Sequence, residues 1–208
     1  MQESWPWLST LIAVIAVSLL FLGMEKSRLS ARQVAVIAVL AALSAAGRAS
    51  AGIVLCLQPT MFLVIITGFV MGTRAGFLVG AMTPLISNFF IGQGPWTPWQ
   101  MLAWGLTGAS AAWLKCLYPP AGNRLLIVFC LFWGYLYGWL MNIWFWSVFV
   151  HPLTWQSYLV TCAASLGFDS VRALGNGLFC AVLSPGVVKV LLRYRRKAHI
   201  SWLPAGKE

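Results

Sequence analysis

Acidic residues are almost missing from this chain of 208 residues, which has four Asp and Glu residues against 14 Lys and Arg residues. Of the acids Glu3, Glu25, Asp169 and Glu208, only Asp169 lies away from the termini and the first connection. Paired carboxylates for acid–base catalysis are therefore not available. The H-E-x-x-H, G-x-S-x-G and P-loop patterns are also missing, which argues against a hydrolase and against ATP hydrolysis by this chain. We predict no catalytic residues.

The chain also lacks a pattern for binding a metal ion. Its five Cys residues form no C-x-x-C pair, and only His151 and His199 are available to join them. This composition excludes a structural zinc site. Cys56 and Cys162 are both predicted in loops on the same side of the membrane, where they form either a disulfide or two free thiols.

Long polar stretches are scarce as well. Hydrophobic residues make up 60% of the chain and charged residues 9%, a composition typical of integral membrane proteins. The apolar segments are 7–23, 33–47, 60–72, 75–91, 99–114, 125–150 and 171–192. They predict seven helices in one membrane domain. Segment 60–72 would rise only about 20 Å, less than the hydrocarbon core of about 30 Å, so we expect neighbouring helices to shelter it.

The distribution of positive charge predicts the orientation. If the chain starts outside and crosses seven times, every Lys and Arg except Arg48 and Arg172 falls on one side. The positive-inside rule then places the N-terminus outside and the C-terminus in the cytoplasm. The first segment follows MQESWP, which has an acid and no base, so we interpret it as a retained helix rather than a signal peptide. The basic C-terminal stretch is interpreted as a topology signal, not as a nucleic-acid site.

Polar and aromatic residues concentrate toward the predicted outside, above all in NFFIGQGPWTPWQM at 88–101. Amides and charges at membrane depth are costly, so they usually face a cavity or each other. We predict a ligand site in which the amides donate and accept hydrogen bonds and the rings stack. Asp169 and Arg172 are spaced to pair on one helical face, either as a structural pair or as part of this site. The candidate residues are Arg48, Asn88, Gln93, Trp96, Trp99, Gln100, Asp169, Arg172 and Asn176.

Small residues recur at helical spacing in two places. Ala38, Ala42 and Ala46 repeat every four residues, which favours either packing inside the bundle or docking of another membrane subunit. A glycine ladder runs through the third and fourth segments and predicts that these two helices form a close hairpin. Its members are Gly68, Gly72, Gly76 and Gly80.

The chain resembles the substrate-binding S components of energy-coupling factor (ECF) vitamin transporters. The resemblance lies in Gly47-Arg48 at the end of an alanine-rich helix, in 76–108 and in FDSVRALGN at 168–176. It implies an all-α integral membrane protein with a six-helix S-component bundle and one extra N-terminal transmembrane helix. We therefore assign 1–30 to the extra helix and its basic connection. The S-component domain is then 31–193, and 194–208 form a basic cytoplasmic tail.

The resemblance also implies a function at the plasma membrane of a prokaryote. S components capture a vitamin from outside, topple in the membrane, and dock on a transmembrane T component with two cytoplasmic ATPases. In that family the docking face corresponds to Ala38, Ala42 and Ala46, and loops corresponding to 48–58 and 91–98 cover the ligand. The partner ATPases use ATP and Mg, and this chain needs no cofactor of its own.

The stretch GQGPWTPWQM is most similar to S components for cobalamin and related corrinoids. One alternative is an S component for another vitamin or micronutrient. From a different class, the alternatives are a non-transport membrane enzyme or a structural membrane protein.

Overall fold

The computed structural model describes residues 5–25, 30–55, 59–117 and 123–200. Within these ranges the chain forms seven α-helices and no strand, as the sequence predicts. The helices are α1 (Trp5–Glu25), α2 (Ala31–Leu55), α3 (Thr60–Met71), α4 (Thr73–Ile91), α5 (Thr97–Leu117), α6 (Asn123–Phe149) and α7 (Trp155–Ile200). By length and composition, α2, α4, α6 and α7 each contain a stretch able to cross a membrane. The predicted all-α membrane bundle is confirmed.

The short helix α3 is the centre of the bundle. Every residue from Thr60 to Val70 is buried. Helices α2, α4, α5, α6 and α7 all contact it. With 12 residues it rises only about 18 Å, so its neighbours must screen its ends. The expectation that this segment is sheltered is therefore confirmed.

Glycines bring α3, α4 and α5 into backbone contact. A Cβ at Gly76 would lie 2.6 Å from the Gly68 Cα, which fits the predicted hairpin of α3 and α4. The same Cβ would lie 2.4 Å from the Gly108 carbonyl oxygen on α5, so the ladder also packs against a third helix. Gly72 is different, because its φ of 101° ends α3 and turns the chain into α4.

The last helix begins much earlier than predicted. We expected 151–170 to be a connection, but α7 starts at Trp155 and Cys162 lies inside it. The Ser157 N–H donates to the Thr154 hydroxyl at 3.2 Å and the Thr154 N–H donates to the Ser157 hydroxyl at 3.1 Å. These reciprocal bonds form a capping box that starts the helix at TWQS. Asp169 therefore lies in the body of α7 and not at its start.

The additional helix α1 packs on the outside of the bundle against α5 and α6. Ala13 and Val17 are buried there, and the ring of Phe21 meets the ring of Phe77 edge-on at 5.6 Å. Apolar side chains on α2, including Val39 and Leu43, remain exposed.

The two ends of the bundle differ in charge. At one end the Tyr194 hydroxyl donates to the Arg32 carbonyl at 3.0 Å, and Arg195 Nη1 donates to the Val70 carbonyl at 3.0 Å. We call this the basic end. A groove of about 310 Å³ near it is lined by Pro185, Val188, Lys189, Leu192, Arg193 and Arg196. The opposite end holds residues 92–96, which connect α4 to α5, and we call it the α4–α5 end.

Candidate ligand-binding cluster

Most of the predicted site residues come together at the α4–α5 end. Arg48 lies toward the C-terminal end of α2, Asn88 near the end of α4 and Gln100 in the first turn of α5. Consecutive helices run in opposite directions, so these positions share one end of the bundle. Most of them are buried and bonded to one another, which makes them a cluster inside the protein rather than a polar surface.

Arg48 is the central cation of the cluster and only 9% exposed. Its Nη1 donates to the Ser87 hydroxyl at 2.6 Å and to the Asn88 side-chain oxygen. Its guanidinium carbon lies 5.0 Å from the centre of the Trp104 ring. These partners are neutral, and no carboxylate of the described residues forms a salt bridge with Arg48. The cluster therefore holds a buried positive charge without a counter-ion, an arrangement that is costly unless polar groups compensate it.

Asn88 joins three helices through one amide and is 1% exposed. Its oxygen accepts from Arg48 on α2. Its nitrogen donates to the Thr97 hydroxyl and to the Gln100 side-chain oxygen on α5, both at 2.9 Å. The amide is therefore engaged by the protein on both sides. It fixes the guanidinium of Arg48 in place.

The connection between α4 and α5 forms a compact turn. Gly92 has a φ of 127°, a conformation that favours glycine, and its N–H donates to the Asn88 carbonyl at 2.8 Å. The exposed Gln93 donates to the Leu85 carbonyl at 3.1 Å and accepts from the Thr97 hydroxyl at 3.0 Å. Gln93 thus lies at the rim and not inside the cluster.

Trp96 belongs to the same rim. Its ring is half-buried and meets the Trp144 ring edge-on at 5.6 Å between centroids. The contact joins the α4–α5 connection to α6.

Two stacked aromatic rings extend the cluster across the bundle. Trp104 on α5 and Tyr137 on α6 are nearly parallel, with ring centroids 5.2 Å apart and planes 13° apart. Arg48 lies over the Trp104 ring, and the guanidinium carbon of Arg172 lies 5.1 Å from the centre of the Tyr137 ring. The two rings therefore lie between two cations, and each cation–π contact contributes about 0.5–2 kcal/mol. This stack links α2, α5, α6 and α7.

The pairing predicted for Asp169 and Arg172 is confirmed, with Arg172 Nη1 donating to Asp169 at 2.6 Å. The Ser165 hydroxyl donates to the other carboxylate oxygen at 2.8 Å, and Asn142 donates to Ser165 at 2.8 Å. The carboxylate also lies against the backbone of α6, because a Cβ at Gly138 would come within 2.1 Å of it. The pair thus fastens α6 to α7 and holds Arg172 against Tyr137.

Asn176 lies apart from these residues. It is 2% exposed, and its amide nitrogen donates to the Met61 sulfur at 3.2 Å. This bond joins α7 to α3. No hydrogen bond among the described residues connects Asn176 to Arg48 or Asn88, so the structure does not bring it into the cluster.

Three buried indole nitrogens at this end have no hydrogen-bond partner among the described residues. They belong to Trp99, Trp104 and Trp144. Trp99 is 9% exposed and Trp104 is 3% exposed. A buried donor without an acceptor costs about 1–3 kcal/mol, so native proteins contain few of them.

The candidate residues named from the sequence omit several members of the cluster, including Ser87 and Trp104 beside Arg48 and also Thr97, Ser165 and Tyr137. Thr97 stands between two prolines in the motif, and its hydroxyl bonds Asn88 and Gln93. Ser165 fell in the segment that we predicted as a connection, although it stands four residues before Asp169, the spacing of one helical turn. Tyr137 lies in a long apolar run where periodicity gives no sign of its role. Of Thr97, Ser165 and Tyr137, only Ser165 could have been recognised from the sequence, by its spacing from Asp169, and only if the start of α7 had been predicted correctly.

The two alanine faces of α2 have different environments. Ala41 and Ala45 are 1% and 3% exposed and pack inside the bundle, whereas Ala38, Ala42 and Ala46 are exposed. Val39 and Leu43, at 65% and 55% exposure, continue the outward surface. The predicted docking stripe thus lies on an uncovered apolar face.

No group of three His, Cys, Asp or Glu side chains in the described ranges is arranged to hold a metal ion. Cys162 is a free thiol, and Cys56, its predicted alternative partner, lies outside the described residues. Residues 48–55, expected as part of a loop over the ligand, belong to α2.

The chain is a helical membrane bundle with a buried cationic and aromatic cluster at one end. Residues 32–194 match the family model described as ECF transporter, substrate-specific component. No curated protein and no solved structure matches the chain. Because the match covers most of the sequence, the chain belongs to the substrate-specific components of ECF transporters. Such components bind a substrate, are not themselves catalytic, and work with a T component and ATPases.

Proposed function

We propose that this protein captures a vitamin or related micronutrient from outside the cell and delivers it by docking on a T component with two ATPases. The observation that carries the proposal is the buried cluster around Arg48, Asn88 and Gln100, which lies at one end of a bundle of the matched family. The ligand we propose first is cobalamin or a related corrinoid.

Charge supports the orientation with the α4–α5 end outside. The basic end holds the start of α2, which includes Arg32, and the end of α7, where Arg195 Nη1 donates to the Val70 carbonyl and Tyr194 donates to the Arg32 carbonyl. Positively charged segments favour the cytoplasmic side. The N-terminus of the chain is then outside and the C-terminus inside.

The rings at the α4–α5 end support a ligand with a large flat body. Trp96 and Trp144 meet at the rim, and Trp99 lies in the same motif. Aromatic faces bind flat apolar surfaces, and buried indole N–H groups bind acceptors on the edges of a ring system. A corrin has both features, because it is broad, flat and fringed with amide carbonyls.

The exposed face of α2 supports docking on a membrane partner. Ala38, Ala42 and Ala46 allow another helix to approach the backbone closely, as small residues do at helix contacts in membranes. The T component is the proposed occupant of this face. ATP and Mg are used by the partner ATPases, and this chain contributes binding without a cofactor of its own.

A binding screen of the purified full chain against vitamins, with cobalamin and cobinamide included, tests the proposal. We expect one vitamin to bind tightly and Arg48→Gln to abolish its binding. Arg124→Gln is the matched control, because Arg124 is an exposed arginine at the basic end. If no vitamin binds to the intact protein, the proposed function is wrong. Tight binding of another vitamin instead of a corrinoid would reject only the corrinoid assignment.

A further inference from the structure

The cluster presents hydrogen-bond donors to a ligand but very few acceptors. Both sides of the Asn88 amide bind protein groups, the Gln100 oxygen accepts from Asn88, and Ser87 accepts from Arg48. The carboxylate of Asp169 is occupied by Arg172 and Ser165. The acceptors in the cluster are therefore committed to the protein itself.

Fewer of the hydrogen-bond donors in the cluster are bound to protein groups. The guanidinium of Arg48 has five N–H donors, and its two hydrogen bonds to Ser87 and Asn88 both use Nη1. The indole N–H groups of Trp99 and Trp104 are buried and have no partner among the described residues. The face of the Trp104 ring lies directly against Arg48, so a cation and an unpaired donor are neighbours.

The net charge of the cluster also favours a ligand group that accepts hydrogen bonds. Arg48 and Arg172 contribute two positive charges, and Asp169 contributes one negative charge that is paired with Arg172. The remaining positive charge is that of Arg48, more than nine-tenths buried among neutral partners. An anionic group would supply both the missing counter-ion and acceptors for the unpaired donors.

We infer that Arg48, Trp99 and Trp104 form an anion-binding subsite that takes a carboxylate or phosphate group of the ligand. This inference rests on the proposed function and specifies the chemical class of its ligand. Asn88 is then a positioning residue, which holds the guanidinium of Arg48 and does not itself select the ligand. The subsite prefers an acid to the corresponding amide, and a phosphate ester to the same compound without the phosphate.

Matched ligand pairs test the preference on the purified full chain. The pairs are nicotinate and nicotinamide, biotin and biotinamide, and cobinamide phosphate and cobinamide, which differ only in the phosphate group. We expect the ligand that binds to be the member that carries the carboxylate or phosphate, and the partner without this group to bind at least about tenfold more weakly, as the loss of a charged hydrogen bond predicts. The first two pairs test a carboxylate and the third tests a phosphate.

Two kinds of variant test the residues. Trp104→Phe keeps a ring between Arg48 and Tyr137 but removes the N–H, so it should weaken binding of the anion by about tenfold. Trp99→Phe should act in the same direction. Trp113→Phe is the control, because Trp113 lies on the same helix and is 63% exposed.

Asn88→Asp is the sharper variant. It places a carboxylate of nearly the same shape beside Arg48, while the Thr97 hydroxyl can donate to it and the Gln100 amide can turn to do so. The built-in carboxylate competes with the ligand, so binding of the anion should fall by about tenfold or more while the thermal midpoint is retained. If Asn88 had only a structural role, the carboxylate that this variant introduces would pair with Arg48 without selectively weakening the binding of an anionic ligand.

The outcomes separate the two levels of the proposal. Equal affinity for acid and amide, or unchanged anion binding in Trp99→Phe, Trp104→Phe and Asn88→Asp, overturns the anion subsite while the binding function stands. Failure of every vitamin to bind overturns the proposed function and the subsite with it. A preference for the anion that is lost in Asn88→Asp and kept in Trp113→Phe supports both.

Discussion

Arg48 and Asn88 are joined by a side-chain hydrogen bond that connects α2 to α4 across 40 positions of the sequence. The same amide continues to Thr97 and Gln100 on α5. A cation is therefore held by a neutral amide whose other bonds are satisfied by a third helix. The amide fixes the direction of the guanidinium without neutralising its charge, as the proposed anion subsite requires.

Replacing Asn88 by alanine should destabilise the bundle as well as weaken ligand binding. Asn88→Ala leaves Arg48, Thr97 and Gln100 without a shared partner in a buried environment, at a cost of about 1–3 kcal/mol. The measurement is the thermal midpoint of the purified protein in detergent. Gln93→Ala, at the exposed rim, should leave the midpoint within a degree or so of the wild-type value, roughly the scale of a neutral surface change. Equal midpoints for Asn88→Ala and the wild type would show that the amide is dispensable for the fold.

A methyl group at Gly108 should separate α4 from α5. Its Cβ would lie 2.1 Å from the Gly76 carbonyl oxygen, so the helices must move apart, at a cost of about 1–3 kcal/mol. Gly167→Ala is the matched control, since no atom lies within 4 Å of the added carbon and alanine favours a helix. We expect a lower thermal midpoint for Gly108→Ala and an unchanged or higher one for Gly167→Ala. A stable Gly108→Ala variant would contradict this close packing.

Replacing one partner of the Asp169–Arg172 pair should destabilise the protein more than replacing both partners. Asp169→Asn leaves a cation against Tyr137, and we expect a loss of about 2–3 kcal/mol. This is less than for a fully buried pair, because the Arg172 side chain is 21% exposed. The double variant Asp169→Asn with Arg172→Gln should recover part of the loss in thermal midpoint. Strictly additive effects of the two substitutions would mean that the pair is not coupled.

A larger side chain on the exposed face of α2 should block the partner without affecting the ligand. Ala42→Leu adds volume at the centre of the stripe, where close approach of another helix depends on small residues. Ala163→Leu makes the same change at an exposed position of α7 and serves as control. Co-purification with the T component and ATPases should be lost only in Ala42→Leu, while vitamin binding is equal in both. Retained co-purification in Ala42→Leu would place the docking surface elsewhere.

The fold was largely predictable because it depends on local apolar content. Seven apolar segments correspond to seven helices in the described ranges, and the short α3 is buried as its length requires. The start of α7 was not predicted, because 155–170 mixes polar and apolar residues. There the reciprocal bonds of Thr154 and Ser157 decide where the helix begins, and not hydropathy.

The sequence predicted which residues belong to the candidate site better than it predicted how they are arranged. Polar residues at membrane depth usually face a cavity or each other, and the structure brings Arg48, Asn88 and Gln100 of the predicted site together. Which of them would be engaged by the protein and which left as free donors depends on tertiary contacts over long separations. The stack of Trp104 and Tyr137 joins two helices through rings that look like ordinary apolar positions in the sequence.

Uptake into proteoliposomes tests the central claim most directly. This chain is reconstituted with the T component and the two ATPases of the same organism, and the radiolabelled vitamin that binds it best is supplied outside. We predict accumulation inside the vesicles that requires both ATP and this chain, and that is lost with Arg48→Gln. Accumulation that proceeds without this chain, or no accumulation when all four subunits and ATP are present, would contradict its role as the substrate-binding subunit.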